Sequence, residues 1–95
     1  MTLEAASQQF AGRVAIVTGA ARGLGRAIAA RLHELGAAVA VHVRDLDRAA
    51  AVAAELGGER TLAVAGDLAD EGTPMAIVRR TVERFGRVDV LVNNA

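Results

Sequence analysis

An apolar run that empties into a glycine-rich turn limits this chain more than any other feature. Residues 13–26 read RVAIVTGAARGLGR. Val14, Ala15, Ile16 and Val17 form an unbroken apolar stretch, the pattern of a parallel strand buried on both faces. Thr18 and Gly19 end it. Ala20, Ala21, Arg22, Gly23, Leu24 and Gly25 then lead into an alanine-rich segment with helical spacing. A strand that turns over glycines into a helix N-terminus makes an anion site, because the first-turn N–H groups lack intrahelical partners and the helix dipole adds positive potential. Each glycine has its own geometric task. Gly19 permits the tight turn, Gly23 leaves room for a pyrophosphate against the backbone, and Gly25 lets helix and strand pack closely. The ligand this predicts is a dinucleotide.

The rest of the chain repeats the strand–helix alternation. Leu24, Ile28, Leu32 and Leu35 recur at steps of four, four and three and predict one apolar helical stripe, stopped by Gly36. Residues 38–43 (AVAVHV) form the second strand, and Asp45 or Asp47 caps a helix that runs to about Leu56 and ends at Gly57 and Gly58. Residues 61–65 (TLAVA) form the third strand, leading into Gly66 and Asp67. Thr73 and Pro74 suit the N-cap and first position of a third helix, with an earlier start at Asp70 as the alternative. Val78, Val82 and Phe85 are its expected core residues and Gly86 its stop; residues 88–92 (VDVLV) form the fourth strand. Strands alternating with helices of this length mean βαβ units and parallel pairing. The expected fold is α/β: a Rossmann-type, doubly wound parallel sheet of four strands in the order 3-2-1-4 with three helices, over residues 13–95. Residues 1–12 read as a loose leader, with Phe10 as its anchor against the sheet.

Composition narrows the function. With 95 residues the chain makes one small domain, and with 2% aromatic content its core must be built from Val, Leu, Ile and Ala. A formal net charge of zero gives no reason to expect nucleic acid or an anionic membrane as partner. Cysteine is absent, which excludes thiol chemistry, and lysine is absent, which excludes a phosphate loop of the GK[ST] type. The opening residues have no basic segment followed by an apolar one, and no apolar run approaches membrane-spanning length, so a cytoplasmic protein is the expectation. His42 reads as a hydrogen-bonded core or edge histidine and His33 as a solvated one; no residues group at metal-ligand spacing.

The glycine spacing is T-G-x-x-x-G-x-G rather than G-x-G-x-x-G. With GRVAIVTG leading into it and Asn93, Asn94 and Ala95 (NNA) following the fourth strand, the chain resembles the short-chain dehydrogenase/reductase family. The resemblance implies that Thr18, Gly19, Arg22, Gly23, Leu24 and Gly25 frame the cofactor's diphosphate, and that Asn93 ties the fourth strand to Thr18. Backbone groups of Asn93 and Ala95 would line the ribose side. It further implies that Asp67 accepts from the adenine amino group while the Leu68 backbone N–H faces the ring. A short carboxylate at a strand's carboxyl end can reach the crevice; the alternative is a turn aspartate satisfying local amides.

Cofactor choice turns on the end of the second strand. An acid there would bind the adenosine ribose 2′-OH of NAD, but the position is Val43 with Arg44 beside it. A guanidinium suits a 2′-phosphate, and Arg22 could supply a second. One charge-assisted hydrogen bond is worth about 1.5–3 kcal/mol, or roughly tenfold to a hundredfold, so NADP(H) is favoured over NAD(H). A one-residue slip of the strand end would instead bring Asp45 to the ribose.

Enzymes of this family transfer hydride between nicotinamide and a carbonyl or alcohol. Their proton donor is a tyrosine, assisted by a lysine four residues later and by a serine and asparagine upstream. This chain has no tyrosine and no lysine, and its one serine, Ser7, lies in the leader, so no catalytic residue carries over. The resemblance spans nearly the whole chain but only the cofactor-binding half of the family's domain. The expectation is therefore an amino-terminal portion, inactive by itself, whose VDVLV edge lacks a partner strand and promotes self-association. The alternative is a non-catalytic dinucleotide-binding module serving regulation or assembly.

Overall fold

The computed structural model describes residues 8–95. In chain order the elements are β1 (Val14–Val17), α1 (Gly23–Glu34), β2 (Ala38–Val43), α2 (Leu46–Leu56), β3 (Thr61–Ala65), α3 (Thr73–Phe85) and β4 (Val90–Val92). The four strands form one parallel sheet in the order β3-β2-β1-β4. This is the expected doubly wound architecture.

Strand alternation divides the core in two. Val17, Val39 and Val41 point to one face, where they pack with Ala29 of α1 and Val52 of α2; Ile28, Leu32, Leu56 and Phe10 border that cluster. Ile16, Ala40 and Val64 point to the other face and pack with Ile77 of α3, bordered by Leu62, Leu68 and Val88. All four residues of β1 are buried, as its place between β2 and β4 requires.

Several local expectations need correction. Leu24 is 69% exposed, and the buried residues of α1 are Gly25 and Ala29. The small residues carry the contact because the helix approaches the turn too closely for a side chain at Gly25. On α3 the buried row is Ile77 and Thr81, one position from the expected Val78 and Val82, which are exposed; Phe85 is half-buried. Thr81 can occupy that row because its hydroxyl donates to the Ile77 carbonyl at 2.7 Å, leaving its methyl for the core. The cap of α3 is Gly72, with Thr73 and Pro74 both already helical. Thr73 does not cap because its side chain packs on Gly66, where a Cβ would come within 2.7 Å of Thr73 Cγ2. Asp70 lies in the preceding turn, its N–H donating to the Asp67 carbonyl and its carbonyl accepting from Thr73.

β4 begins at Val90 rather than Val88. The Asp89 carboxylate takes the Val14 N–H at 2.8 Å, in place of a ladder bond. Arg87 beside Asp89, with that Val14 amide, holds its carboxyl below the usual range. Residues 8–12 are not loose: the Phe10 N–H donates to the Leu35 carbonyl at 2.7 Å and its carbonyl accepts from Arg13. Residues 1–7, Ser7 among them, lie outside the described residues. His33 is half-buried, not solvated, and its Nε2 is buried without a partner among the described residues. Burial and the charge of Arg60, which donates to the His33 carbonyl, push its imidazole below 6.5; a Gly57 backbone hydrogen bond partly opposes the shift.

Candidate functional site

The carboxyl ends of the strands meet at the turn after β1. Gly19 and Gly23 hold φ of +61° and +60°, a region that favours glycine. A Cβ built on Gly25 would overlap the Gly19 carbonyl oxygen and come 2.5 Å from Asn94 Nδ2. The three glycines thus do different things: two bend the chain and the third lets α1 seat against the bend.

Thr18 is the knot of this region. It is buried, and its hydroxyl accepts from the N–H of Asn94 at 2.9 Å and of Ala95 at 3.2 Å. The hydroxyl proton faces the Val92 carbonyl at 3.3 Å and Asn93 Oδ1 at 3.2 Å, the tie between Thr18 and Asn93 that the resemblance implies. Asn94, which the sequence reading gave no task, donates from Nδ2 to the Gly19 carbonyl at 3.1 Å. On the other side, the Ala20 N–H donates to the His42 carbonyl at 2.9 Å.

His42 is the hydrogen-bonded core histidine expected from the sequence, and its partners give it a further role. It is buried, accepting from the Gly19 N–H at Nδ1 (3.4 Å) and lying 2.8 Å from the Gly66 carbonyl at Nε2. With Nδ1 accepting the Gly19 N–H, the Gly66 carbonyl is matched by a donor at Nε2. It braces the turn after β1 against the turn after β3. A polar residue just before the end of an otherwise apolar strand was the available signal, since that position faces the strand-end crevice.

The mouth of α1 is open and amide-lined. Arg22 is its N-cap, extended and exposed, with no side-chain cap bond among the described residues and no acid in the first turn. The N–H groups of Gly23, Leu24 and Gly25 therefore keep their free hydrogen-bonding capacity, at the positive end of the helix dipole. This arrangement suits a diphosphate, and the open space around Gly23 leaves it room.

Beside the mouth is a crevice of about 230 Å³ lined by Gly19, His42, Val43, Arg44, Gly66, Asp67, Leu68 and Ala95. It brings together Arg44, the neighbours Asp67 and Leu68, and Ala95, from three separate stretches of the sequence. Arg44 is bound to Asp67 here, Nη2 donating to Oδ2 at 2.9 Å, while Oδ1 accepts the Ala69 N–H at 2.9 Å. The turn role of Asp67 and its place in the crevice are thus both present. β2 ends at Val43 with no slip of register, and Asp45 caps α2, its Oδ1 accepting from Asp47 and Arg48. A second, apolar groove of about 290 Å³ runs between α3 and β1–β4, with Asn93 and Thr18 at its polar end.

The sequence profile of the family described as short chain dehydrogenase matches residues 13–95. Over 86 residues the chain is 44% identical to 2-(R)-hydroxypropyl-CoM dehydrogenase of Xanthobacter autotrophicus, covering 87% of this chain and 34% of that protein. The crystal structure of apo glucose dehydrogenase of Caenorhabditis elegans superposes with a TM-score of 0.85 at 32% identity, over 92% of this chain and 39% of that one. For the 3-ketoacyl-(acyl-carrier-protein) reductase from Brucella melitensis, complexed with NADH, the TM-score is 0.81 at 40% identity, over 86% and 34%. The chain spans about a third of the length of the curated relatives it matches. The profile match takes in every strand and helix described above, and with it the chain belongs to the short-chain dehydrogenase family.

Proposed function

We propose that this chain is the cofactor-holding portion of an NAD(P)-dependent oxidoreductase that moves hydride between nicotinamide and a carbonyl or alcohol. The observation that carries the reading is the seat of Gly25 on Gly19, which sets the free amides of α1 beside the strand-end crevice. Backbone N–H groups of residues 23–25 hold the diphosphate, and Thr18, Asn93 and Ala95 shape the ribose side. Asp67 and Leu68 flank the adenine. The nicotinamide supplies the hydride chemistry. What these residues contribute is binding and orientation, because the tyrosine and lysine that handle the proton in this family are absent from the 95 residues.

The same reading favours NADP(H) over NAD(H). Arg44 stands at the rim of the crevice, Val43 offers no carboxylate, and Asp45 spends an oxygen on the cap of α2. Calorimetric titration of the full-length gene product with NADPH and NADH tests both parts. Tighter NADPH binding, by roughly tenfold or more, is the expected result. Equal affinities refute the preference, and binding of neither refutes the site.

The sheet edge adds a partner. β4 pairs only with β1 among the described residues, and Leu91 on it is 64% exposed. An apolar strand with an open hydrogen-bonding edge invites a second strand, so the 95-residue chain by itself self-associates.

A further inference from the structure

We infer that Asp67 sets the cofactor's 2′-position selectivity by holding Arg44 in an ion pair that a 2′-phosphate must break. The inference rests on the proposed adenosine crevice and deepens it. Its starting point is a geometric fact that neither residue's expected role contains: the two are bonded to each other. Arg44 follows β2 directly and Asp67 lies just past β3, so the neighbouring ends of two paired strands bring them together at 2.9 Å. Both line the rim of one crevice.

An anion approaching a guanidinium with a carboxylate at that distance meets a dipole rather than a net positive charge. Arg44 is 78% exposed at its side chain, free to swing, while Asp67 is fixed through Oδ1 to the Ala69 amide. The pair therefore opens by movement of Arg44. In the closed state Asp67 offers Oδ2 to Arg44; in the open state Arg44 goes to the phosphate and Oδ2 is released to the adenine. The two ends of the adenosine site are thus coupled through one carboxylate. Asp67 reduces the discrimination that Arg44 would give by itself.

The test compares adenosine 2′,5′-bisphosphate with 5′-AMP as calorimetric ligands, on the full-length gene product at low ionic strength. Four forms are needed: wild type, Asp67→Asn, Arg44→Ala and the double variant. Asparagine keeps an oxygen for the Ala69 amide, so the turn survives, and any lost adenine contact weakens both ligands alike and cancels in their ratio. Asp67→Asn is expected to raise the preference for the bisphosphate by about two- to fivefold, the scale of an exposed ion pair. In the Arg44→Ala background the same change should leave the ratio alone. An unchanged or lowered ratio overturns the inference, the latter by making Asp67 an aid to Arg44. A rise of equal size without Arg44 also overturns it, since that is simple repulsion of the phosphate. If wild type binds neither nucleotide, the crevice reading fails first and this one with it.

Discussion

Replacing Gly25 with alanine adds one methyl group where the structure has no room for it. The new Cβ would overlap the Gly19 carbonyl oxygen and lie 2.5 Å from Asn94 Nδ2. Two of the obstacles, the Gly19 carbonyl oxygen and carbon, are backbone, and Asn94 is itself bonded to that same oxygen, so neither rotates away cheaply. The N-terminus of α1 must retreat by about 1 Å to restore ordinary van der Waals separation. Overpacking of this kind costs about 1–3 kcal/mol of stability. The effect on binding should be larger than the methyl's size suggests. Misplacing the amides of residues 23–25 by about 1 Å relative to the crevice weakens nucleotide binding by an expected tenfold to a hundredfold. Urea unfolding reads the first quantity and calorimetric titration with ADP the second. Gly12→Ala is the control: Gly12 has φ of +80° with nothing within 4 Å, so it should cost stability through backbone strain while sparing ADP affinity. Unchanged ADP affinity in folded Gly25→Ala would refute the argument that this contact places the mouth.

Thr18→Val removes the hydroxyl that serves Asn94, Ala95 and Val92 while keeping shape; an expected loss of about 1–2 kcal/mol in urea unfolding follows, moderated because residues 93–95 are solvent-accessible. For His33 the sign is set by its lowered imidazole pKa: above 6.5 both states are neutral, and below it the unfolded chain takes up the proton first. Melting temperature should therefore fall as pH drops through about 6.5, and His33→Gln should flatten that part of the profile. Parallel profiles for the two proteins would count against it. Leu91→Lys places a charge on the open edge of β4 and should shift sedimenting species of the 95-residue chain toward monomer, whereas an unaltered distribution would locate association elsewhere.

Periodicity and turn chemistry determined most of the architecture by themselves. β1, β2 and β3 fall where the mainly apolar runs VAIV, AVAVHV and TLAVA stand: the inner strands β1 and β2 are buried nearly throughout and have to be apolar, while β3, at the sheet edge, buries Val64 and leaves its other residues half-buried. The order 3-2-1-4 follows from parallel βαβ winding, and the glycine spacing located the turn. Asp45 was legible as a cap because its side chain needs only its own backbone neighbours. What tertiary contact decided was which side of each helix lies inside and which polar groups meet. Leu24 looks like a core residue and is not, since the closeness of α1 to Gly19 favours Gly25 and Ala29 at the contact. Thr81 looks like a surface residue and is buried, its hydroxyl satisfied one turn back. The start of β4 depends on Asp89 reaching Val14, the brace of His42 depends on turns after two different strands, and the bond between Arg44 and Asp67 depends on β2 lying beside β3. Local sequence carries period and turn type because both arise from a residue's own dihedral preferences and neighbours. It carries none of these pairings, because each joins residues that only the folded sheet brings within reach.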